Sequence, residues 1–204
     1  MNNSRALRLR KVAEADFPTQ FGAFRIYGFE GGVSGGRVEE AVVLRMGSLA
    51  GSEPPLVRIH SQCLTGDVFH SLRCDCRAQL EIALEGIAQE GRGLVIYELQ
   101  EGRGIGLMNK LRAYELQDQG ADTVEANERL GFDSDLRSYE LPAAILQFFG
   151  LKAVRLLSNN PEKVEAVERA GVEVAERVPC LADVVDTREA YLRTKKEKMG
   201  HFLE

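Results

Sequence analysis

Three cysteines, Cys63, Cys74 and Cys76, fall within fourteen positions, and thiolate sulfur is a donor that Zn²⁺ favours. In Cys74-Asp75-Cys76 the two thiols share one side of the chain if the segment is extended, and Cys63 follows a strand-like run eleven positions earlier. Three protein ligands are the arrangement of a catalytic zinc, whose open fourth position takes a water with a pKa lowered to about 7; a structural zinc takes four. The spacing matches no common zinc finger and leaves two readings open: one ion on three thiolates, or reduced cysteines packed as small apolar groups. Cys180, more than a hundred residues on, reads as packing. Of the three histidines, His60 is the candidate ligand or substrate contact, with a structural role as the alternative.

A second chemistry is written in Gln100-Glu101-Gly102-Arg103-Gly104-Ile105-Gly106, set between a strand-like and a helix-like run, where backbone N–H groups and a helix dipole favour an anion. It is neither a Walker A loop, which needs Gly-Lys-Ser/Thr, nor a dinucleotide fingerprint, since Leu107 stands where the third glycine belongs. A glycine turn packed beneath a helix is the plain alternative. Arg103, Lys110, Arg112 and Lys163 offer local positive charge or a solvated face. Asp135-Leu136-Arg137 places a carboxylate and a guanidinium within reach of each other. By residue chemistry this reads first as a surface ion pair of little worth, and second as a pair set over a phosphate.

The elements that must position these groups follow from periodicity. Phe24 to Phe29 and Val38 to Met46 are strand-like around the loop Gly31 to Gly36, and the first fifty residues read as antiparallel β-structure. Leu56 to His60 sets Leu56, Arg58 and His60 on one face and Val57 and Ile59 on the other. Strand and helix then alternate: a helix through Leu80, Leu84 and Ile87 stopped by Gly91, a buried strand Leu94 to Tyr97, and a helix from Ile105 to Gln119 stopped by Gly120. A strand Ala153 to Leu157 precedes a helix opened by Asn160-Pro161 and closed by Gly171, and Val172 to Val178 is a last strand. This order predicts an α/β fold, a three-layer sandwich of helices over a mixed sheet with the antiparallel β portion appended. Ligands in such sheets sit at the carboxyl ends of the strands.

The chain of 204 residues has the length of one domain, expected to span 1–204 with the β portion at 1–50 and a helical tail at 188–204. With 26 Lys+Arg against 31 Asp+Glu the net charge is 26 − 31 = −5, which argues against broad binding of nucleic acid, since that needs a basic face. Any anion must be met locally. No secretory signal opens the chain, and the apolar clusters fall short of the roughly 18 residues a spanning helix needs, so no membrane partner is expected and the cytoplasm is. There the cysteines stay reduced.

Three long motifs, Arg58-Ile59-His60-Ser61-Gln62-Cys63-Leu64-Thr65-Gly66-Asp67, Leu72-Arg73-Cys74-Asp75-Cys76 and Gln100 to Leu107, together resemble the signature of GTP cyclohydrolase II. Arg112-Ala113-Tyr114, Asp122 to Asn127, Leu156 to Pro161 with Lys163, Thr194-Lys195 and Lys198-Met199-Gly200-His201 continue it in order. The resemblance implies an enzyme that opens the imidazole ring of GTP, releases formate and pyrophosphate, and starts riboflavin biosynthesis as a homodimer. It implies Zn²⁺ on Cys63, Cys74 and Cys76, and Mg²⁺ on the triphosphate, whose hard oxygens a hard cation screens. By the same carry-over Arg58, Ile59, His60, Ser61, Gln62, Gln79, Glu101, Gly102, Arg103, Thr123, Ser158 and Lys163 contact GTP. Tyr114 assists at the ring, Asp135 accepts a proton and Arg137 attacks the α-phosphorus. A nucleophilic arginine is unexpected, since a guanidinium is almost always protonated, and residue chemistry alone makes Arg137 a phosphate clamp.

The chain departs from the family pattern at Gln62, usually Glu, at Arg77, usually Gly, and at Leu99, usually Arg. Residues 181–188 also lack an expected asparagine-bearing segment. These departures define two alternatives: a paralogue that stops at a formamidopyrimidine product, and a catalytically silent GTP-binding module. Arg77 is expected to alter the zinc surroundings or to add a phosphate contact.

Overall fold

The protein is described by a computed structural model covering residues 8–32, 38–133, 135–182, 196, 200 and 202. Alternating side chains in the first third form three long strands, β1 (Arg8–Thr19), β2 (Gly22–Gly32) and β3 (Val38–Met46). They pair antiparallel in succession, β1 to β2 and β2 to β3. The apolar runs that follow form shorter parallel strands: β4 (Leu56–Ser61), β5 (Gly93–Glu98), β6 (Ala153–Leu157) and β7 (Glu173–Val178). β3 pairs antiparallel with β5, so the two halves are one seven-stranded sheet of order β1-β2-β3-β5-β4-β6-β7. The antiparallel portion is therefore continuous with the sandwich. The α/β architecture and mixed sheet expected from the alternation are what the structure has.

Six α-helices are described: α1 (Leu64–Asp67), α2 (Cys76–Glu90), α3 (Leu107–Asp118), α4 (Thr123–Arg129), α5 (Glu140–Phe148) and α6 (Pro161–Arg169). Period-two alternation in β4 divides the core. Val57 and Ile59 join Leu94 and Ile96 of β5 against Leu141, Ile145 and Leu146 of α5 and Val167 of α6. On the opposite face Leu56, Val95 and Leu157 pack on Ala83, Leu84 and Ile87 of α2, with Cys180 buried among them. That makes the three layers. Local chemistry sets the helix ends: Gly91 closes α2 at φ 69°, and the Asn160 side chain accepts from the Glu162 N–H to open α6, with Pro161 at its first position. The helix expected from Ile105 begins two residues later, at Leu107, after the glycine turn.

The connection after β4 leads to β5 on one side, whereas that after β5 crosses back to β6 on the other. Neighbouring strands whose connections diverge leave a crevice at their carboxyl ends. Ser61, Glu98 and Leu157 end β4, β5 and β6 there. The expected tail at 188–204, with Thr194, Lys195, Lys198, Met199 and His201, lies outside the described residues apart from 196, 200 and 202. Among the described residues no helix is long and apolar enough to cross a membrane.

Candidate active site and metal centre

Cys63 leaves β4 as the residue preceding α1, and Cys76 opens α2. The segment between the last two thiols is not extended, because Asp75 caps α2 with φ −98° and ψ 8°. The turn still brings all three together: the Sγ atoms of Cys63, Cys74 and Cys76 lie within 4.8 Å of one another, the one such cluster among the described residues. Cys63 Sγ and Cys74 Sγ are 3.7 Å apart. Zinc–sulfur bonds of about 2.3 Å at tetrahedral angles set sulfurs about 3.8 Å apart, so the donors fit Zn²⁺ in type and spacing. Gly66 closes the cluster from below. A Cβ there would stand 2.9 Å from Cys74 Sγ, 3.0 Å from Cys76 Cβ and 3.1 Å from Cys63 Sγ.

The surroundings favour a thiolate. Hydrogen bonds from Cys74 and Cys76, with the Lys110 ammonium at 3.1 Å, hold the Cys63 thiol well below its ordinary value. Sharing with that thiolate pushes Cys74 up to about 11 and raises Cys76 well above its ordinary value. Lys110 also donates to Glu101 Oε1 at 2.7 Å, and the other oxygen of Glu101 accepts from the Leu64 N–H at 2.6 Å. The glycine loop is thereby tied to the thiol centre. Tyr114, from α3, lies 3.1 Å through its Oη from Thr65 Oγ1, itself 3.6 Å from Cys63 Sγ. Behind the thiols Asp67 accepts from the Cys63 N–H at 3.0 Å, from Tyr97 Oη at 2.7 Å and from His60 Nε2 at 3.2 Å. Burial keeps His60 neutral, so its hydrogen lies on Nε2 toward the carboxylate. Arg77 is spent on the same loop: it donates to the Asp67 carbonyl at 2.9 Å, lies 3.0 Å from His70 Nε2 and pairs with Glu81. These contacts brace the loop between Cys63 and Cys74.

A cationic group stands beside the thiols. Arg58, on β4, donates to the Leu157 carbonyl at 2.9 Å and to Gln79 Oε1 at 2.6 Å. Lys163, on α6, donates to the Ile59 carbonyl at 2.8 Å. Burial, then the charges of Arg58 and Arg137, pull its amine well below the ordinary lysine value. Arg137 gives Nε and Nη2 to Asp135 and Nη1 to Ser61 Oγ, 3.4 Å away. The pair is no surface ion pair: its side chains are 12% and 11% exposed, because Tyr139 packs under both Arg137 and Lys163 at 5.6 and 5.3 Å. Against the penalty of burial, the guanidinium contacts hold the Asp135 carboxyl below its ordinary value.

The sites read from sequence thus fall at one end of the sheet, with particular exceptions. The Ile59 side chain is in the core, and its carbonyl belongs to Lys163, which leaves backbone contact only. The Ser158 hydroxyl is turned into the α6 cap, bonded to Asn160 N and O. Gln62 is half-buried and gives its N–H to the Glu98 carbonyl at 2.9 Å. Gly102 and Arg103 both have φ near 60°, the left-handed region, which is routine for the glycine and strained for the arginine. Leu99 is 42% exposed. Thr123 opens α4 behind a capping box of Asp122 and Glu125; its side chain lies outside the described residues. Arg58 Nε, His60 Nδ1 and Arg103 Nη1 are buried without a partner, the state of polar atoms that a ligand completes. Sequence reasoning missed Asp67, Glu98 and Tyr139. The one signal for Glu98 was a charge ending the apolar run Leu94 to Tyr97.

Fold and site define a class: an α/β protein with three clustered thiols that could hold a metal ion beside a buried pocket of basic side chains, both at the carboxyl ends of parallel strands. The family model for GTP cyclohydrolase II matches residues 10–179. GTP cyclohydrolase-2 of Shewanella baltica is 51% identical over 197 residues, covering 97% of this chain and 95% of that protein. The protein of the same name from Yersinia pseudotuberculosis is 52% identical, with 97% and 99% covered. The chain belongs to the GTP cyclohydrolase II family. Among solved structures it is similar to RibBX of A. baumannii, described as a two-domain 3,4-dihydroxy-2-butanone 4-phosphate synthase, with a TM-score of 0.50 at 18% identity. That match covers 89% of this chain but 42% of the other, so the chain spans about two fifths of RibBX, and the likeness is one of fold.

Proposed function

We propose that the protein is a zinc-dependent GTP cyclohydrolase II. It hydrolytically opens the imidazole ring of GTP with release of formate and pyrophosphate, yielding the diaminopyrimidinone ribosylamino phosphate that starts riboflavin biosynthesis. One observation carries the reading: three thiols within 4.8 Å share the strand ends with buried Arg58 and Lys163 and the largely covered Arg137. Cys63, Cys74 and Cys76 hold the zinc, which when bound supplies Lewis acidity and water activated at neutral pH. Mg²⁺ arrives with the triphosphate as part of the substrate.

The remaining work falls to the chain's own groups. Arg58, Gln79, Arg103 and Lys163 bind the anionic end of GTP, for which Arg58 Nε and Arg103 Nη1 are buried donors in waiting. His60, Ser61, Gln62, Glu101, Gly102, Thr123 and Ser158 complete the contacts. Tyr114 keeps its phenol proton, since burial raises its pKa, and holds it beside the thiol centre for the opening ring. Asp135 grips the Nε and Nη2 edge of Arg137 and takes the proton from it as Nη2 attacks the α-phosphorus. The P–N bond forms while the α–β anhydride bond breaks, and its electron pair leaves with pyrophosphate; water later cleaves the P–N bond and returns the proton.

Zinc-replete protein given GTP and Mg²⁺ is expected to release formate and pyrophosphate together, read by coupled assays and by the mass of the product. Release of neither sinks the reading. Pyrophosphate without formate identifies the formamidopyrimidine paralogue, and GTP binding without product the silent module. The working unit is a homodimer in the reducing cytoplasm, read by sedimentation velocity. The edge strand β1 supports this, because it lies exposed along nearly all twelve residues, with Val12 and Phe17 outward, and exposed edges are commonly covered.

A further inference from the structure

Glu98 ends β5, is fully buried, and has no part in the scheme above. Its two carboxylate oxygens each meet a donor: Ser61 Oγ–H at Oε2, 3.3 Å, and the Gln100 amide at Oε1, 3.1 Å. Both donors lead to Arg137. Ser61 Oγ, its hydrogen turned to Glu98, presents a lone pair to Arg137 Nη1 at 3.4 Å. Gln100 clamps the next residue on both sides, giving Nε2 to the Ser138 carbonyl at 2.8 Å and taking the Ser138 N–H on Oε1 at 3.1 Å. Gln100 therefore has both amide hydrogens and its oxygen committed, and it can turn toward no other group at position 98.

We propose that Glu98 is a positioning residue for Arg137, a double acceptor that fixes the Nη1 edge through Ser61 and the backbone through Gln100. The role rests on the reading of Arg137 as the group that meets the α-phosphorus. An ionised carboxylate accepts from both at once, whereas a protonated acid or an amide must donate to Ser61, whose own hydrogen then turns away from position 98 and changes what Ser61 presents to Arg137 Nη1. Desolvation raises the Glu98 carboxyl to about 7; Lys163 from α6, Arg137 and the Ser61 hydroxyl oppose the rise and Glu39 from β3 adds to it. The arrangement thus forms as pH rises through neutrality.

The test compares wild type with Glu98→Gln and, as a cut of one link, Ser61→Ala. Pyrophosphate release by wild type is expected to climb through pH about 7. In Glu98→Gln it falls by about 10-fold, the effect of one lost charged hydrogen bond, and loses that inflection, while zinc content stays at the wild-type level. In the resting protein, with no GTP present, the Arg137 Nε–Hε resonance in ¹⁵N NMR is expected to follow the same inflection. That response is absent in Glu98→Gln and weakened in Ser61→Ala. If Glu98→Gln fails to fold, the wild-type and Ser61→Ala resonances decide alone. An Arg137 resonance indifferent to pH between 6 and 8, or a Glu98→Gln enzyme with the wild-type rate and profile, overturns the proposal. A wild type that shows the resonance shift yet turns over no GTP overturns the reading of function on which the role rests, while the coupling of Glu98 to Arg137 stands.

Discussion

Gly66→Ala isolates the geometry of the metal centre from its chemistry, since it removes no ligand and changes no charge. Gly66 has no positive φ, so an alanine fits its backbone, and the nearest obstacles are the three contacts of 2.9, 3.0 and 3.1 Å with the cysteines. Against an ordinary van der Waals separation of about 3.5 Å, each is short by roughly half an ångström. Relief comes from moving the thiols, and a shift of that size exceeds the roughly 0.2 Å that a metal site tolerates. Overpacking of this kind costs about 1–3 kcal/mol, and at a coordination site the loss appears as zinc affinity, about 10- to 100-fold. Competition with a chromophoric chelator reads the affinity, and thermal melts of the metal-free forms read the fold. Gly86→Ala, in the middle of α2, is the control: its Cβ meets one side-chain tip, Leu56 Cδ2, at 3.3 Å, and the helix gains up to about 1 kcal/mol from alanine. Wild-type zinc affinity in Gly66→Ala would falsify the account of the cradle, and so would a loss of affinity equal to that in Gly86→Ala.

Asp135→Asn strips a carboxylate from the buried Arg137 and is expected to cost about 3 kcal/mol, read by urea unfolding. The Asp135 carboxyl is held below its ordinary value, so its contribution is whole above about pH 4 and disappears as pH falls through the folded value. Wild type and variant must therefore converge in acid, and a gap that stays constant disproves the pairing. Lys163→Met removes a desolvated amine whose charge folding disfavours. Stability should hold or rise while the Kd for GTP climbs at least about 10-fold, and a variant that binds GTP like wild type excludes Lys163 from the site. Asp67→Asn faces the three donors Cys63 N–H, Tyr97 Oη and His60 Nε2 with one oxygen and one amide, which should cost about 2–3 kcal/mol and speed zinc loss to a chelator. Tyr97→Phe removes a single donor and should cost about 1 kcal/mol, so a larger loss than in Asp67→Asn contradicts the hub.

How much of this was legible in the sequence depends on how local each cause is. β3 and β6 have the bounds their apolar runs predict, and α2 and α6 end or begin at Gly91 and Asn160-Pro161, because alternation and capping act over a few residues. α5 was not predicted: buried along Leu141 to Ala143 and at Ile145 and Leu146, it shows little polar face, and Pro142 lies inside its run. The extended reading of Cys74-Asp75-Cys76 failed because tertiary packing starts α2 at Cys76, yet the thiols still converge. The cationic pocket is the opposite case. Arg58, Glu98, Arg137 and Lys163 are scattered over more than a hundred positions, and nothing local marks Asp135 and Arg137 as other than a surface pair. They meet because β4 lies between β5 and β6, so three strand ends deliver charges from distant segments into one crevice. In that buried crevice desolvation is the largest effect on both: it raises the Glu98 carboxyl to about 7 against the pull of Lys163 and Arg137, and with the charges of Arg58 and Arg137 it takes the Lys163 amine well below its ordinary value. Residue types and motif order therefore indicate which reaction the site is built for. The topology determines the protonation states in which it can run.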